Sequence, residues 1–367
     1  MWYIGNVMSD LYTLPAHTLA TLIHNREASA LDVLEAHLAQ IARHNPVLNA
    51  VVTLDQEGAR ARAKAADTAT SRGEVWGPLH GVPMTLKDGH STAGMRTTSG
   101  FDELRDYVPQ EDGAVAERLR AAGAILIGKT NVSVLLGDIQ SDNPIFGRTG
   151  NPWDVSRTAG GSSGGAAAAL ATGMTPLEIG SDLGGSIRIP AHFCGLYGLK
   201  TTEGRVSMRG HIPDLPEGPR SHRLMWSIGP LARNVEDLAL AYRIIAGPDS
   251  RDPNVPPVPI GEVPHLEWRN LRLAWTPTFS GVPATQATKK AIERLAGQLG
   301  GLGARVEEHL PDVDFAEIAR GRSPISRGVR LTFRPPSEDE PVPSLAEFLE
   351  GLTIRDRITA TWDSFFS

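Results

Sequence analysis

A chain of 367 residues with 41% hydrophobic and 21% charged content can bury a large core as one big domain or two ordinary ones. Its formal net charge of −6 lacks the clustered basic excess that nucleic acid or an anionic membrane would favour, so a small neutral partner is expected, with no nucleic acid and no membrane. The single cysteine, Cys194, excludes an internal disulfide framework; the N-terminus shows no basic leader, and no apolar run reaches the roughly 18 residues of a membrane span, so a soluble cytoplasmic protein is expected.

In chain order, the first clear helix is predicted over 29–44, where Ser29 can cap and Leu31, Leu34, Leu38 and Ile41 recur at helical spacing on one face. The β-branched LNAVVTLD (48–55) reads as a strand, and QEGARARAKAADTATSRG (56–73) as an alanine-rich helix with a solvated charged face, ended by Gly73. GVPMTLKD (81–88) reads as another strand. A helix over 113–123 stops at Gly123 and leads into the apolar AILIG (124–128). The run 166–172 predicts a close-packed helix, and PLEIGSDLGGSIRIP (176–190) a short strand running into a glycine-serine turn. NVEDLALAYRIIAG (234–247) is an amphipathic helix capped by Asn234 and closed by Gly247. Prolines crowd the connector 248–264; strand 271–276, helix 286–299 and strand 304–309 then form one more β-α-β unit, and the acidic, proline-rich FRPPSEDEPVPS (333–344) reads as a solvated loop. Alternating helices and apolar strands predict an α/β domain with a largely buried sheet.

The stretch AGGSSGGAAAALATG (159–173) concentrates the functional question. A slack linker would join domains, whereas this run leads directly into an apolar helix. A phosphate cradle needs a Lys with Ser/Thr, or a fixed dinucleotide spacing, and neither follows. The pattern G-x-S-x-G matches a nucleophile elbow, but the polar, proline-containing GNPWDVSRTA before it is a poor strand, and none of His192, His211, His222, His265 and His309 stands in an obviously catalytic frame. SDN at 141–143 has no Lys three residues after a Ser to accompany it. What remains is two glycine-flanked serines and a lysine. In DLGGSIR, backbone N–H groups from Leu183 to Ser186 can converge on one oxygen, Ser162 can both donate and accept a proton, and Lys87 closes VPMTLK with Asp88 turned to the opposite face. An amine buried without a partner acid loses affinity for its proton, and only its neutral form is a base. The alternative for Lys87 taken alone is an ordinary surface or ion-paired lysine.

With these elements in place, the chain resembles the amidase signature family, in blocks 77–100, 143–207 and 227–241 and over most of the span from about Asp10 to about Arg305. The resemblance implies an α/β fold with a mixed β-sheet core covered by helices on both faces. Organised as one amidase-type domain over 1–367, it would have a helical region at about 10–75, a catalytic core at about 76–247, the connector, and a further β-α-β unit at 265–367. It also implies Lys87 as general base, Ser162 as bridging serine after a cis peptide bond, Ser186 as nucleophile, and an oxyanion hole from the amides of Leu183, Gly184, Gly185 and Ser186. Asp182 and Arg188 are expected to support the loop, and Asp142, Asn143 and Ser163 to line the pocket. No metal or organic cofactor is expected. Two departures stand out: Gly89-His90 follows Asp88 where an Asn is common, and ITATWDSFFS ends in an apolar helix, as in a C-terminally truncated form.

The function expected first is a stand-alone amidohydrolase acting on a small carboxamide or aryl amide through an acyl-enzyme, with a homodimer left open. A second reading is the glutaminase component of a tRNA-dependent amidotransferase, against which RSHRLMWSIGP (220–230) lacks the serine-leucine-aspartate run usual there. A third is a truncated, non-catalytic remnant.

Overall fold

The computed structural model describes residues 10–212, 224–262, 264–278, 284–331 and 341–367. These fall into two compact units, the first running to Ile260 and the second from Gly261 onward.

The first unit contains α1 (Ala16–His24), α2 (Ala30–Leu48), β1 (Val51–Leu54), α3 (Gln56–Ser71), β2 (Pro83–Lys87), α4 (Ala114–Ala121), β3 (Ile125–Thr130), α5 (Gly164–Ala171), β4 (Leu177–Asp182), α6 (Arg188–Cys194), β5 (Tyr197–Gly198), β6 (Ser227–Ala232) and α7 (Val235–Ile245). In one sheet β3 is central, antiparallel to β1 and parallel to β2; in the other β6 lies between β4 and β5, antiparallel to both. β2 and β4 pack side by side. Strands β2, β3, β4 and β6 are buried from end to end. Apolar composition therefore marks them in sequence, and the few charged residues they carry are forced into the dry interior.

Local chemistry sets the element ends. The Ser29 hydroxyl accepts from Asp32 N at 2.9 Å, starting α2 as its cap. The helix runs to Leu48, past the end expected at 44, although Pro46 gives up one helical hydrogen bond there, and Asn49 closes it with φ of 51° and an N–H donated to Asn45 O at 2.8 Å. Asn45 Oδ1 then accepts from Ala50 N and Val51 N, each at 2.8 Å, turning the chain into β1. Two helices escaped sequence reading in this unit. α1 begins after Pro15 with its first amides on the distant Asp237 carboxylate, and α6 follows the glycine-serine turn at once.

The second unit holds β7 (Arg272–Trp275), α8 (Gln286–Gly301), β8 (Arg305–Glu308), α9 (Phe315–Arg330) and α10 (Leu345–Phe366). β7 and β8 pair in parallel around the crossover helix α8. α9 and α10 pack closely, for a Cβ on Gly351 would lie 2.7 Å from Gly321 O. Most of the 333–344 loop lies outside the described residues, as do 220–223 of the RSHR segment. Among the described residues no helix is long and apolar enough to cross a membrane.

Candidate active site

Lys87 is the last residue of β2 and has no solvent exposure. Its Nζ lies 2.8 Å from Ser162 Oγ, 3.0 Å from Ser181 Oγ and 3.4 Å from Ser181 O, with no ion pair among the described residues. Burial pushes its pKa down to about 7, a fall opposed by the negative charge of Asp182 and Glu178. Asp88 turns the other way, as strand alternation requires, and accepts from Thr98 N at 3.1 Å and Thr98 Oγ1 at 2.5 Å. Burial lifts that carboxyl to about 6 against the pull of Lys129 and Thr98.

Ser162 reaches the amine from the glycine run. The Gly161–Ser162 peptide bond is cis, and a Cβ on Gly161 would stand 2.6 Å from the Gln140 backbone, so no larger residue fits that approach. Ser141 Oγ fixes the turn, donating to Ser162 O at 3.2 Å and accepting from Gly164 N at 2.8 Å where α5 begins.

Ser186 sits half-buried in the turn between β4 and α6, and no hydrogen bond holds its side chain among the described residues. Asp182 shapes this turn: its carboxylate accepts from Gly185 N at 2.8 Å, Ile187 N at 3.0 Å and the Arg188 guanidinium at 2.8 and 3.0 Å. Burial alone would raise the Asp182 pKa, but Arg188 and the two amides outweigh it and hold it at about 2. This geometry corrects one of the four expected oxyanion amides. The Gly185 N–H is engaged by Asp182, whereas the amides of Leu183, Gly184 and Ser186 make no hydrogen bond among the described residues.

The expected pocket residues separate. Asp142 is exposed. Asn143 is buried and fully engaged, its Nδ2 donating to Asn131 Oδ1 at 2.8 Å and Val132 O at 2.7 Å while Oδ1 accepts from Ile145 N and Phe146 N. It braces its own loop, which corrects its expected place in a pocket. Ser163 is buried where α5 packs on β4, and its Oγ would lie 2.9 Å from a Cβ on Gly180. Gly89 and His90, the departure after Asp88, form a buried corner in which the His90 ring meets His211 edge-on at 5.0 Å and His211 meets Trp226 at 5.1 Å.

Sequence reading missed Ser181, the second hydroxyl on Lys87, and the carboxyl of Glu178. The available signal was polar residues inside a buried strand: LEIGSD places Glu178, Ser181 and Asp182 where nothing polar is tolerated without a partner.

Among solved structures, fatty acid amide hydrolase superposes with a TM-score of 0.87 over 98% of this chain and 67% of its own, at 23% identity, a likeness of fold. A crystal structure of an amidase gives 0.77 over 95% and 79%, at 29% identity. Among curated proteins, the first (A) component of the glutamyl-tRNA(Gln) amidotransferase of Symbiobacterium thermophilum is 38% identical over 337 residues, 88% of this chain and 67% of that protein. Further curated relatives of the same name are 36 to 39% identical, and the chain spans 61 to 69% of their lengths.

These relatives correct two expectations. A stand-alone amidohydrolase for a small carboxamide or aryl amide gives way to the amidotransferase reading weighed second. The expected partners, a small molecule without nucleic acid, give way likewise, because the relatives are named for a tRNA substrate and as one component of a larger enzyme. The net charge misled because it describes this chain's own surface and leaves open an RNA held by another component. The amidase family model matches residues 32–319, and the chain belongs to that family of enzymes acting on carbon–nitrogen bonds.

Proposed function

We propose that this chain is the amide-cleaving component of a cytoplasmic, tRNA-dependent amidotransferase, hydrolysing the side-chain amide of glutamine to supply ammonia to a glutamyl-tRNA. The observation that carries the chemistry is the dry Lys87 amine 2.8 Å from Ser162 Oγ. Relatives of that name at 36 to 39% identity support the substrate class.

In this reading neutral Lys87 takes a proton from Ser162, which takes one from Ser186, and Ser186 Oγ bonds to the amide carbon. The free amides of Leu183, Gly184 and Ser186 donate to the oxygen that gains negative charge. The carbon–nitrogen bond then breaks, the departing nitrogen receives the relayed proton and leaves as ammonia, and water cleaves the glutamyl ester to restore Ser186. Ser181, sharing the amine with Ser162, keeps Nζ aimed along the relay. The low pKa of Asp182 keeps it ionised throughout, so the turn bearing Ser186 holds its shape.

The test is glutamine hydrolysis followed by ammonia and glutamate release, for the chain alone and with its partner proteins and glutamyl-tRNA. Hydrolysis that depends on Ser186 and is raised by the assembly is expected. An assembly that makes glutaminyl-tRNA equally well with Ser186→Ala overturns the reading.

A further inference from the structure

One buried carboxyl beside the relay has no part in the steps above. Glu178 is the second residue of β4 and has no solvent exposure. Thr130 Oγ1 donates to its Oε1 at 2.9 Å, and Ile179 N donates to its Oε2 at 3.0 Å. Thr130 is the residue paired with Lys87 across β2 and β3, and Lys87 reaches back to Ser181 on the same β4 strand that carries Glu178. The carboxyl and the amine are thus fixed to the same three strands, with no ion pair between them.

The other charges near this corner are turned elsewhere. On β3, Lys129 Nζ donates to His90 O, Thr92 Oγ1 and Thr97 Oγ1. After β2, Asp88 is held by Thr98, and the His90 ring meets His211 edge-on. Asp182 on β4 is bound to Arg188, and Arg233, just past β6, donates to the carbonyls of Leu170, Thr175, Tyr12 and Leu14. Neither β6 itself nor α5 carries a charged residue. Asp88 and Glu178 are thus the carboxyls at this corner with neutral hydrogen-bond partners, and strand alternation turns Asp88 to the face opposite Lys87, which leaves Glu178.

We propose that Glu178 is a positioning residue for the amide-cleaving reaction, its buried carboxylate setting through space the proton affinity of Lys87 and hence the pH at which the relay switches on. This rests on Lys87 being the base. Burial raises the Glu178 carboxyl to about 7, opposed by its hydroxyl and amide donors and by Lys129, so it ionises over the range in which Lys87 loses its proton. A negative charge nearby favours the protonated amine; without it the amine is neutral, and a base, at lower pH.

The experiment is the rate at which a fluorophosphonate labels Ser186 in the full chain between pH 5 and 9. In Glu178→Gln the rising limb of the profile should move to lower pH by about 0.5 unit or more, whereas a loss of packing alone would lower the rate at every pH without moving the limb. Glu178→Asp, which keeps the charge, should bring the limb back toward the wild-type position. Should the Gln variant fail to fold, Thr130→Val removes the donor that favours the ionised carboxyl and should shift the limb the same way by a smaller amount. A folded Glu178→Gln protein with an unmoved limb overturns the proposal. If Lys87→Ala is inert while that limb stays put, Glu178 alone is misassigned; if Lys87→Ala labels at the wild-type rate, the base assignment fails and takes the proposal with it.

Discussion

The two compact units treat charge in opposite ways, and helix α5 of the first and helix α8 of the second treat glycine in opposite ways. In α5 Gly165 stands where backbone meets backbone, an added Cβ lying 2.3 Å from Asn131 N, and charged residues of the first unit occupy buried strands. In the second unit, β7 alternates between exposed and half-buried and β8 is exposed at all but Val306, Ala296 is the buried residue of α8, and Gly297, Gly300 and Gly301 have nothing within 4 Å of where a Cβ would sit. The second unit obeys the ordinary rules of amphipathic elements. The first breaks them at one corner, and the groups proposed to react lie there, since lysine is dry and unpaired only where the surrounding structure enforces it.

The sharpest way to break the contrast is Lys87→Met, which keeps the volume and removes the amine. Fluorophosphonate labelling of Ser186 should fall by about 10³-fold or more, as for loss of an activating base. Stability should move the other way. The folded pKa of Lys87, about 7, lies below its unfolded value near 10.4, so the cost of keeping the amine dry is fully present below pH 7 and fades as pH rises through that window. Thermal melts should therefore place Lys87→Met above wild type at pH 6, with the gap closing toward pH 10. A variant that melts lower at pH 6 contradicts a dry, unpaired amine.

Next in size is Gly165→Ala. The contacts it must displace are backbone atoms of Asn131 and Ala50, which cannot swing aside, so a loss of about 3 kcal/mol or more in denaturant unfolding is expected. An unfolding midpoint within error of wild type would show that α5 can shift on the strands, and the fixed delivery of Ser162 would lose its support.

Much of this was legible in the residues. The cap Ser29, the stop at Gly123 and the apolar strands named α2 to α5, α7 and β1 to β4, and the first glycine-serine run with Lys87 named two residues that the structure joins, Lys87 Nζ against Ser162 Oγ. What stayed hidden depends on partners far apart in sequence. α1 starts on Asp237, more than 200 residues away, and the Gly185 amide is withdrawn by Asp182 through a turn geometry that composition does not encode. Asn143 looked like a pocket residue because an exposed loop asparagine and a loop-bracing one share a sequence. The function was misweighed for a similar reason: one short block, RSHRLMWSIGP, was set against a likeness spread over most of the chain.

The smallest effect tests the second unit. Gly297 lies inside α8, exposed, with helical backbone and open space where a methyl group would go. Alanine there removes backbone freedom from the unfolded chain without touching any neighbour, so Gly297→Ala should stabilise by about 0.5–1 kcal/mol. Denaturant melts followed by circular dichroism should show a higher midpoint with an unchanged slope, and the labelling rate of Ser186 should not change. The sign carries the weight: the same chemical change that disables α5 at Gly165 should strengthen α8 at Gly297, because at the first site the glycine exists to let two backbones touch and at the second it meets nothing. A destabilised Gly297→Ala protein would mean that α8 is packed on both faces, and the difference drawn between the two units would not hold.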